Sequence, residues 1–466
     1  MPAPFCHCQC KMCRAPGSLH CHAFPRCGAP QQQRQVKSDS SLAEPDIVRT
    51  LARLRTDSGS HAPSVGQLEE ALPGLVEIDA CFLANPYATT EVLNRLQTLP
   101  VSQLTRMVAH YPSQASVIAK VLAPQIGVPA EYLCLANGAS EVIGAVLARS
   151  GPLLLSLPTF SAYHEFASGP VMTLQLQADE DFRLDLDRLE AMVRRHSPDT
   201  VVIINPNNPD GGHVPHAELV DFEQRVHHRV DQIIIDESFG HFADEGPPTS
   251  LAPLVPALPH LIVVNSLSKS HGIAGLRLGY AVMSPDRVDT LQRNALWNLN
   301  AFAEWFCGLL GDPEFQADYE RARCRYVRET RALFAEFHDL PTLRSYPSRA
   351  NFALLELDRS ATEVVGALLV HHGIYVRDCA DKRGLDGNRF IRVAARTQEE
   401  NRTVLRGLRS VLERPARHPL SPVIHDRKPR AHAPNAITPH SSHSADSHSA
   451  GVDDQALSHS QRSAII

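Results

Sequence analysis

The segment Val264–Tyr280, with the sequence VNSLSKSHGIAGLRLGY, combines residue types that can hold a phosphate and react with an aldehyde. Ser266, Ser268 and Lys269 follow a short apolar run, and Arg277 lies eight residues beyond the lysine. Hydroxyl and guanidinium groups donate the hydrogen bonds that a phosphate accepts, and a lysine amine forms an imine with an aldehyde. Alone, the segment could equally be a surface loop rich in serine. As a binding site, it indicates a ligand that is both an aldehyde and a phosphate, as pyridoxal 5'-phosphate is.

Two polar residues near other apolar runs supply groups that such a ligand needs around its ring. Asp236 ends the run Gln232–Asp236 and can keep a pyridine nitrogen protonated, which makes the ring an electron sink. Helix capping or a salt bridge would also explain this aspartate. Asn208 lies in NPNNPDGG, a turn fixed by two prolines and two glycines, from which its amide could donate to a phenolic oxygen.

A further segment offers backbone donors for the phosphate. Gly138, Ala139 and Ser140 lead into a predicted helix at Glu141–Arg149. The first N–H groups of a helix have no partners within it, so a helix N-terminus binds phosphate groups well. Each motif is weak alone, but the four in this order are specific for pyridoxal 5'-phosphate.

Runs of consecutive apolar residues indicate the strands that must position these motifs. Such runs are typical of a parallel sheet buried on both faces, whose ligands bind at the carboxyl ends of the strands. The predicted strands are Thr200–Asn205, Gln232–Asp236 and Leu261–Asn265, with a predicted helix at His216–Val230. Beyond Gly311, a smaller α+β domain is indicated by a helix at Phe315–Phe337, a strand at Asn351–Leu357, a helix at Ala361–His371 and a strand at Arg389–Ala394.

These patterns predict an α/β fold with five parts. A large domain at residues 81–310 has a mostly parallel sheet flanked by helices, and a small C-terminal α+β domain occupies residues 311–413. Residues 46–80 form an N-terminal arm or small-domain segment. The Cys-rich leader at 1–45 and the His- and Ser-rich tail at 414–466 are predicted to be disordered, because neither has apolar periodicity.

The composition of the 466-residue chain disfavours several classes of protein. With 45 Lys and Arg against 51 Asp and Glu, the net charge of -6 argues against nucleic acid as a partner. No uncharged apolar run reaches the roughly 20 residues of a membrane helix, and the N-terminus lacks the apolar core of a signal peptide. We therefore expect a soluble, cytoplasmic enzyme that does not bind membranes.

The cysteines do not define a metal site. Six of the 11 lie in the first 27 residues among three histidines, so zinc binding is one interpretation of the leader. Their spacing lacks the paired C-x2-C units of a structural zinc site, and few apolar residues are available to cover a metal. The prediction is therefore a disordered leader and a protein without a metal.

In the type and order of its motifs, the chain resembles the fold-type-I pyridoxal-phosphate enzymes of aminotransferase class I/II. The resemblance spans about Ile78–Leu412 and is nearest to the branch of histidinol-phosphate aminotransferase and threonine-phosphate decarboxylase. It implies that Lys269 is the catalytic lysine, which carries the cofactor as a Schiff base. The cofactor-binding residues that it implies are Gly138, Ala139, Ser140, Tyr163, Asn208, Asp236, Ser266, Ser268, Lys269, Arg277 and, from the second subunit of a homodimer, Tyr111.

The same resemblance implies a substrate site for a small amino acid. Arg392 would clamp the α-carboxylate, Arg377 would bind a distal phosphate, and Asn85 belongs to a substrate loop that matches only in part. Tyr163 would stack on the pyridine ring. Phe239 stands where most aminotransferases carry a tyrosine that donates to the phenolic oxygen, so this donor is missing here.

Two reactions of a bound amino acid fit these motifs. Transamination breaks the Cα–H bond, whereas decarboxylation breaks the bond to the carboxylate, and the orientation of the substrate above the ring decides between them. We predict an aminotransferase, because that reaction is the more common in the superfamily, with a decarboxylase as the alternative. A non-catalytic cofactor-binding protein is a third interpretation, which the presence of both Lys269 and Asp236 disfavours.

Overall fold

The structure is a computed structural model that describes residues 44–58, 61–293, 299–340 and 342–415. The six clustered cysteines, nearly all of the predicted leader and the tail beyond residue 415 lie outside the described residues. The first helix begins at Glu44, close to the predicted end of the leader, and that limit stays a prediction. All described residues fall within one compact unit, and the predicted limits between arm, large domain and small domain remain predictions.

Strands form two sheets in the described part of the chain. Numbered along the sequence, they are β1 (Ile78–Ala80), β2 (Leu133–Ala136), β3 (Leu153–Leu157), β4 (Val171–Gln175), β5 (Thr200–Ile204), β6 (Gln232–Asp236), β7 (Leu261–Ser266), β8 (Gly279–Val282), β9 (Leu343–Ser345), β10 (Phe352–Leu357), β11 (Ile374–Asp378) and β12 (Phe390–Ala394). The larger sheet has the order β2-β8-β7-β6-β5-β3-β4, and the smaller sheet has the order β1-β11-β12-β10-β9.

The larger sheet is the predicted parallel sheet with one reversed strand. From β7 through β6, β5 and β3 to β4 all neighbours are parallel, whereas β8 is antiparallel to β7 and to β2. Every residue of β5, β6 and β7 is buried, which explains their continuous apolar sequences. The structure confirms these three predicted strands to within one residue at either end.

Helices connect and cover the strands. They are α1 (Glu44–Asp57), α2 (Val65–Ala71), α3 (Pro86–Gln97), α4 (Val101–Ala109), α5 (Ala115–Ile126), α6 (Ala139–Leu147), α7 (Ala162–Glu165), α8 (Leu186–His196), α9 (His216–Val226), α10 (Leu267–Ser270), α11 (Pro285–Gln292), α12 (Ala301–Leu309), α13 (Pro313–Phe337), α14 (Ala361–His372) and α15 (Gln398–Leu412). The helix predicted to start at Glu141 begins two residues earlier, at Ala139. Within the described ranges, no helix has the length and apolarity needed to cross a membrane.

Polar side chains fix where several helices begin. Ser64 and Gln67 form a reciprocal capping box at α2, and Thr397 and Glu400 form another at α15. Asn85 caps α3 through its side-chain oxygen. These contacts satisfy N–H groups that have no partner inside the helix, so they define each start more sharply than apolar periodicity does.

Two arginines of α13 hold the loop that follows β6. Arg323 is completely buried and donates to four loop carbonyl oxygens at 2.6–3.0 Å, those of His241, Asp244, Glu245 and Gly246. Arg331 donates to the carbonyl oxygens of Phe242 and Ala243, and also to that of Ser348 before β10. Because buried carbonyls need donors, these side chains replace the hydrogen bonds that an irregular loop cannot form with itself. Helix α13 thereby joins the smaller sheet to the end of β6.

Candidate active site

Lys269 lies at the carboxyl ends of β6 and β7, two central strands of the larger sheet. It is part of α10, which follows β7 directly, and β6 ends one strand away at Asp236. Burial, together with the guanidinium groups of Arg392 and Arg277, lowers the pKa of Lys269 to about 8. Since an amine with this pKa is partly neutral near pH 7, Lys269 is suited to attack an aldehyde.

The carboxylate of Asp236 is buried and is held by two donors. The Ser238 N–H donates to Oδ1 and the Tyr163 hydroxyl donates to Oδ2, both at 2.9 Å. Burial raises the pKa of Asp236, and these hydrogen bonds oppose the rise. A cationic group against this carboxylate would compensate for its lost hydration, as a protonated ring nitrogen can.

The turn that follows β5 is fixed by its own amide side chains. The Asn205 side chain donates to the Val214 carbonyl oxygen and accepts from the Val214 N–H, both at 2.8 Å. Asn207 donates to the Pro158 carbonyl oxygen at 2.9 Å, which ties the turn to the end of β3. These contacts give Asn208, the next residue, a rigid base at the predicted site.

Glycines bring Arg277 close to the start of α6. Gly138 has φ +87°, and a Cβ atom here would lie 2.5 Å from Arg277 Nη2. At Gly279, a Cβ atom would lie 2.3 Å from the backbone nitrogen of Ala139. Among the described residues no side chain caps α6, so the first N–H groups of this helix, including that of Ser140, can donate to a ligand, whereas the Glu141 N–H donates to the Gly138 carbonyl oxygen.

The start of α6 and Arg277 together form what is called here the phosphate cradle. Two serines, at the end of β7 and in α10, are further candidates for this cradle. Ser266 is buried at the end of β7, and Ser268 is buried one residue before Lys269. The Ser268 Oγ has no hydrogen-bond partner among the described residues. A buried hydroxyl without a partner is costly, so it fits a ligand that supplies an acceptor. A guanidinium group, backbone donors at a helix start and an unsatisfied hydroxyl are groups suited to bind a phosphate, so the prediction of a phosphate site here stays open to test.

Arg392 is buried on β12 and faces the Asn208 turn. Its Nη1 donates to Asn208 Oδ1 at 2.8 Å and its Nη2 to the Cys81 carbonyl oxygen at 2.9 Å. Its Nε has no partner among the described residues. The ring of Phe352 lies 5.3 Å from the guanidinium carbon, and Phe239 meets that ring edge-on at 5.0 Å. The guanidinium group is therefore fixed in direction while one donor stays available.

Arg377 on β11 lies directly opposite Arg392 on β12. Paired residues of antiparallel strands share one face of the sheet, and like charges in this arrangement repel. Arg377 is buried and donates to Asp381 at 2.8 and 3.1 Å. Among the described residues, Arg392 has no carboxylate within 4.0 Å. Arg392 therefore has room for a negatively charged group of a ligand.

The structure brings Asn85 to the candidate site but leaves Tyr111 on the surface of the single chain. The Asn85 N–H donates to the Lys269 carbonyl oxygen at 3.0 Å, and its buried Nδ2 has no partner among the described residues. Tyr111 is 90% exposed. A contact between Tyr111 and the cofactor thus depends on a second subunit, and its predicted role remains a prediction.

The sequence does not predict a functional role for two residues near the candidate site, Phe160 and Lys382. Tyr163 is completely buried, whereas Phe160 of the same PTFSAY motif is partly exposed and meets Tyr163 edge-on at 6.5 Å. The motif contains both aromatics, and its pattern does not distinguish the exposed ring from the buried one. Lys382 is buried and donates to Ser161 Oγ at 2.7 Å, although its polar sequence context suggests an exposed loop.

Comparison with known proteins identifies the family. Residues 94–408 match the family described as aminotransferase class I and II. The chain belongs to this family, and the cofactor of its relatives is pyridoxal 5'-phosphate, as predicted. The described residues contain no group of three or more His, Cys, Asp or Glu that could hold a metal ion.

Individual relatives narrow the branch. The L-serine phosphate decarboxylase of Campylobacter jejuni is 39% identical over 383 residues, 79% of this chain and 98% of that protein. The solved structure of a decarboxylase from Sulfurospirillum multivorans has a TM-score of 0.75 and 38% identity, over 79% of this chain and 97% of that one. Histidinol-phosphate aminotransferase 2 of Archaeoglobus fulgidus is 28% identical over 353 residues, 74% of this chain and 96% of that protein.

These similarities confirm the predicted family, fold type and branch. They support the prediction of an aminotransferase less well than the prediction of the family, because the two relatives of 38% and 39% identity are decarboxylases by name. The comparisons therefore favour the alternative prediction over the main one. What they establish for this chain is a pyridoxal-phosphate-dependent enzyme of the class I and II family.

Proposed function

We propose that the protein is a pyridoxal-phosphate-dependent decarboxylase of a phosphorylated amino acid, with L-serine phosphate as the first candidate substrate. The observation that carries the proposal is the buried pair of Arg377 and Arg392 on neighbouring strands. A substrate with a carboxylate and a phosphate supplies one anion to each guanidinium group. The names of the similar proteins from Campylobacter and Sulfurospirillum support the same substrate class and reaction.

The edge of the larger sheet fits the cofactor. When bound, pyridoxal 5'-phosphate withdraws electrons from the Cα atom of the amino acid and so lowers the barrier to losing a substituent there. The residues that would hold it are Gly138, Ala139, Ser140, Ser266, Ser268 and Arg277 at the phosphate, Asp236 at the ring nitrogen and Asn208 at the phenolic oxygen. Lys269 would hold its aldehyde carbon.

In this proposal Phe160, and not Tyr163 as predicted from the sequence, stacks on the pyridine ring of the cofactor. Tyr163 is buried and donates to Asp236, so it orients the carboxylate that faces the ring nitrogen. Phe160 is partly exposed, and its ring therefore retains a surface for an aromatic ligand.

The aromatic wall beside Arg392 favours decarboxylation. Arg392 contacts Asn208 and therefore lies on the cofactor side of the arginine pair, where it would take the carboxylate. Phe352 is buried behind the Arg392 guanidinium group, and Phe239 packs against Phe352, so the protein side of this position is apolar. A carboxylate loses hydration against such rings, whereas the neutral product CO2 does not, so the surroundings help the bond to break.

Lys269 would supply the proton that completes the reaction. L-serine phosphate loses its carboxylate as CO2 and gains one proton at the same carbon, which gives O-phosphoethanolamine. With a pKa of about 8, the Lys269 amine can carry that proton near neutral pH and release it again. In the alternative reaction, the same amine would remove the Cα proton.

A homodimer forms part of the proposal. Val101, Val108 and Tyr111 are 78%, 77% and 90% exposed on and just after α4, and half-exposed Val117 and Val121 lie on α5. Such an apolar surface is typical of a protein interface. A second copy would cover it and bring Tyr111 to the neighbouring cofactor. The cytoplasmic location remains an expectation from the sequence.

Product analysis of the holoenzyme tests the reaction. The protein is incubated with L-serine phosphate, L-threonine phosphate or histidinol phosphate, with and without 2-oxoglutarate as an amino acceptor. We expect CO2 and O-phosphoethanolamine from L-serine phosphate, in equal amounts and independent of 2-oxoglutarate. Glutamate formation without CO2 would contradict the proposal and establish the aminotransferase reaction instead.

A further inference from the structure

We propose that Lys382 binds the phosphate of the substrate and makes the enzyme selective for phosphorylated amino acids. This inference rests on the proposed function and adds a residue to it. Lys382 lies in the loop between β11 and β12, five residues after Arg377. Its side chain is 8% exposed, so it is a buried cation and not a solvated surface lysine.

The buried ammonium group has only an uncharged partner. Its Nζ donates to Ser161 Oγ at 2.7 Å, and no carboxylate of the described residues lies within 4.0 Å of it. Asp381, the adjacent acidic residue, accepts two hydrogen bonds from Arg377 instead. Removing a charge from water without a counter-ion is costly, so this arrangement indicates a site whose anion comes from a ligand.

Two buried guanidinium groups lie close enough to Lys382 to repel its charge, and the Asp381 carboxylate offsets them only in part. Burial of the side chain, together with the guanidinium groups of Arg377 and Arg392, lowers the pKa of Lys382 to about 8. At neutral pH the amine therefore still carries its charge. A phosphate monoester has a charge near -2, so it can contact both Lys382 and Arg377, while the carboxylate of the substrate contacts Arg392.

The loop holds Lys382 in position before a substrate binds. Gly384 has φ +85°, and a Cβ atom there would lie 2.8 Å from both the Leu157 Cβ and the Pro158 nitrogen, so the loop approaches the end of β3 closely. Gln175 Nε2 donates to the Gly384 carbonyl oxygen at 2.9 Å. A cation that is fixed in advance loses little conformational entropy on binding. Phosphate would replace Ser161 as the acceptor nearest the ammonium group.

Spectral titration of the holoenzyme separates the contribution of Lys382 from the chemical step. The absorbance change of the cofactor gives Kd for L-serine phosphate, L-serine and L-aspartate in the wild type, Lys382→Gln and Lys382→Arg. Arg402→Gln, an exposed site on α15, removes the same charge elsewhere and serves as the control. Competition by inorganic phosphate is measured in parallel, and so is CO2 release.

We expect Lys382→Gln to raise Kd for L-serine phosphate on the order of 10- to 100-fold, as the loss of a charged hydrogen bond does. Kd for L-serine should stay unchanged, competition by inorganic phosphate should disappear, and Lys382→Arg should retain most of the affinity. Equal weakening for L-serine and L-serine phosphate, no weakening at all, or tighter binding of L-aspartate than of L-serine phosphate by the wild type would overturn the inference.

The two proposals fail in distinguishable ways. If the wild type binds L-serine phosphate through Lys382 but releases no CO2, the proposed reaction is wrong and the phosphate site stands. If Lys382→Gln releases CO2 from L-serine phosphate with the wild-type KM, the reaction stands and the inference about Lys382 is wrong.

Discussion

The two sheets build their halves of the candidate site by different means. At the larger sheet, Asp236 and Lys269 follow neighbouring parallel strands, so each appears in a motif directly after an apolar run. At the smaller sheet, the contacts join distant segments: 311 residues separate Arg392 from Cys81, and 221 separate Lys382 from Ser161. The cofactor half therefore depends on local sequence, whereas the substrate half depends on how the whole chain folds.

The halves also differ in their charge balance. At the cofactor end, the cations Lys269 and Arg277 share their surroundings with Asp236. At the substrate end, Arg377, Lys382 and Arg392 converge, and the nearby carboxylate of Asp381 is shared between Arg377 and Arg55. Repulsion that a protein retains in a buried site is often relieved by its ligand, so this imbalance points to an anionic substrate.

Removal of the amine in Lys269→Ala should have the largest effect, because the cofactor half supplies the chemistry itself. We expect CO2 release to fall by at least about 10⁴-fold, as for other nucleophilic catalytic residues. The visible absorption of the lysine-bound cofactor should also vanish. Lys382→Ala serves as the control and should keep that absorption. Substantial turnover by Lys269→Ala would show that the lysine is not essential.

A comparison of Arg392→Gln with Arg377→Gln tests which arginine of the substrate half binds the carboxylate and which binds the phosphate. Arg392→Gln should lower kcat/KM for L-serine phosphate on the order of 10²- to 10³-fold, because a buried charge pair with the carboxylate is lost. It should weaken the binding of L-serine as well. Arg377→Gln should weaken the binding of L-serine phosphate only. Identical profiles for the two variants would mean that the arginines do not divide the anionic groups between them.

A methyl group in the phosphate cradle should have a smaller effect. Gly138→Ala puts a Cβ atom against Arg277 Nη2 at a residue with φ +87°, so the guanidinium group must move. We expect cofactor affinity to fall about tenfold or more, as for one charged hydrogen bond. Fluorescence titration of the cofactor-free protein measures this. Gly275→Ala, where nothing lies within 4 Å, is the matched control and should bind normally.

Replacement of Lys382, whose ammonium group has no carboxylate partner among the described residues, should also change the stability of the cofactor-free protein. Lys382→Met removes an amine whose pKa is lowered from 10.5 to about 8 in the folded protein. The ammonium destabilises the folded state fully below pH 8, and this cost disappears as the pH rises towards 10.5. We therefore expect Lys382→Met to stabilise the cofactor-free protein at pH 7 by on the order of 1–3 kcal/mol, and by much less at pH 10. Urea unfolding at both pH values measures the difference, and equal stability at pH 7 would contradict it.

The strands and turns that carry the proposed cofactor half could be predicted from the sequence, and those of the proposed substrate half only in part. The continuous apolar runs before Asp236 and Lys269 predict their strands, because a sheet buried on both faces requires such runs. The burial of Lys382 depends on Gly384 and on the distant end of β3, which no local pattern reports. Likewise, the choice between Phe160 and Tyr163 depends on which ring the folded chain covers.

Arg323 has a consequence for how this sequence can drift over evolutionary time. The loop residues that it binds offer only their carbonyl oxygens, which every amino acid possesses. The exposed side chains of Asp244 and Glu245 can therefore change while Arg323 still holds the loop, whereas the His241 ring also contacts Tyr319. Arg323 itself has no equivalent substitute, because lysine lacks the fork of donors that reaches four acceptors. Selection on the loop conformation therefore acts on one residue of α13, Arg323, which lies about 80 residues later in the chain than the loop itself.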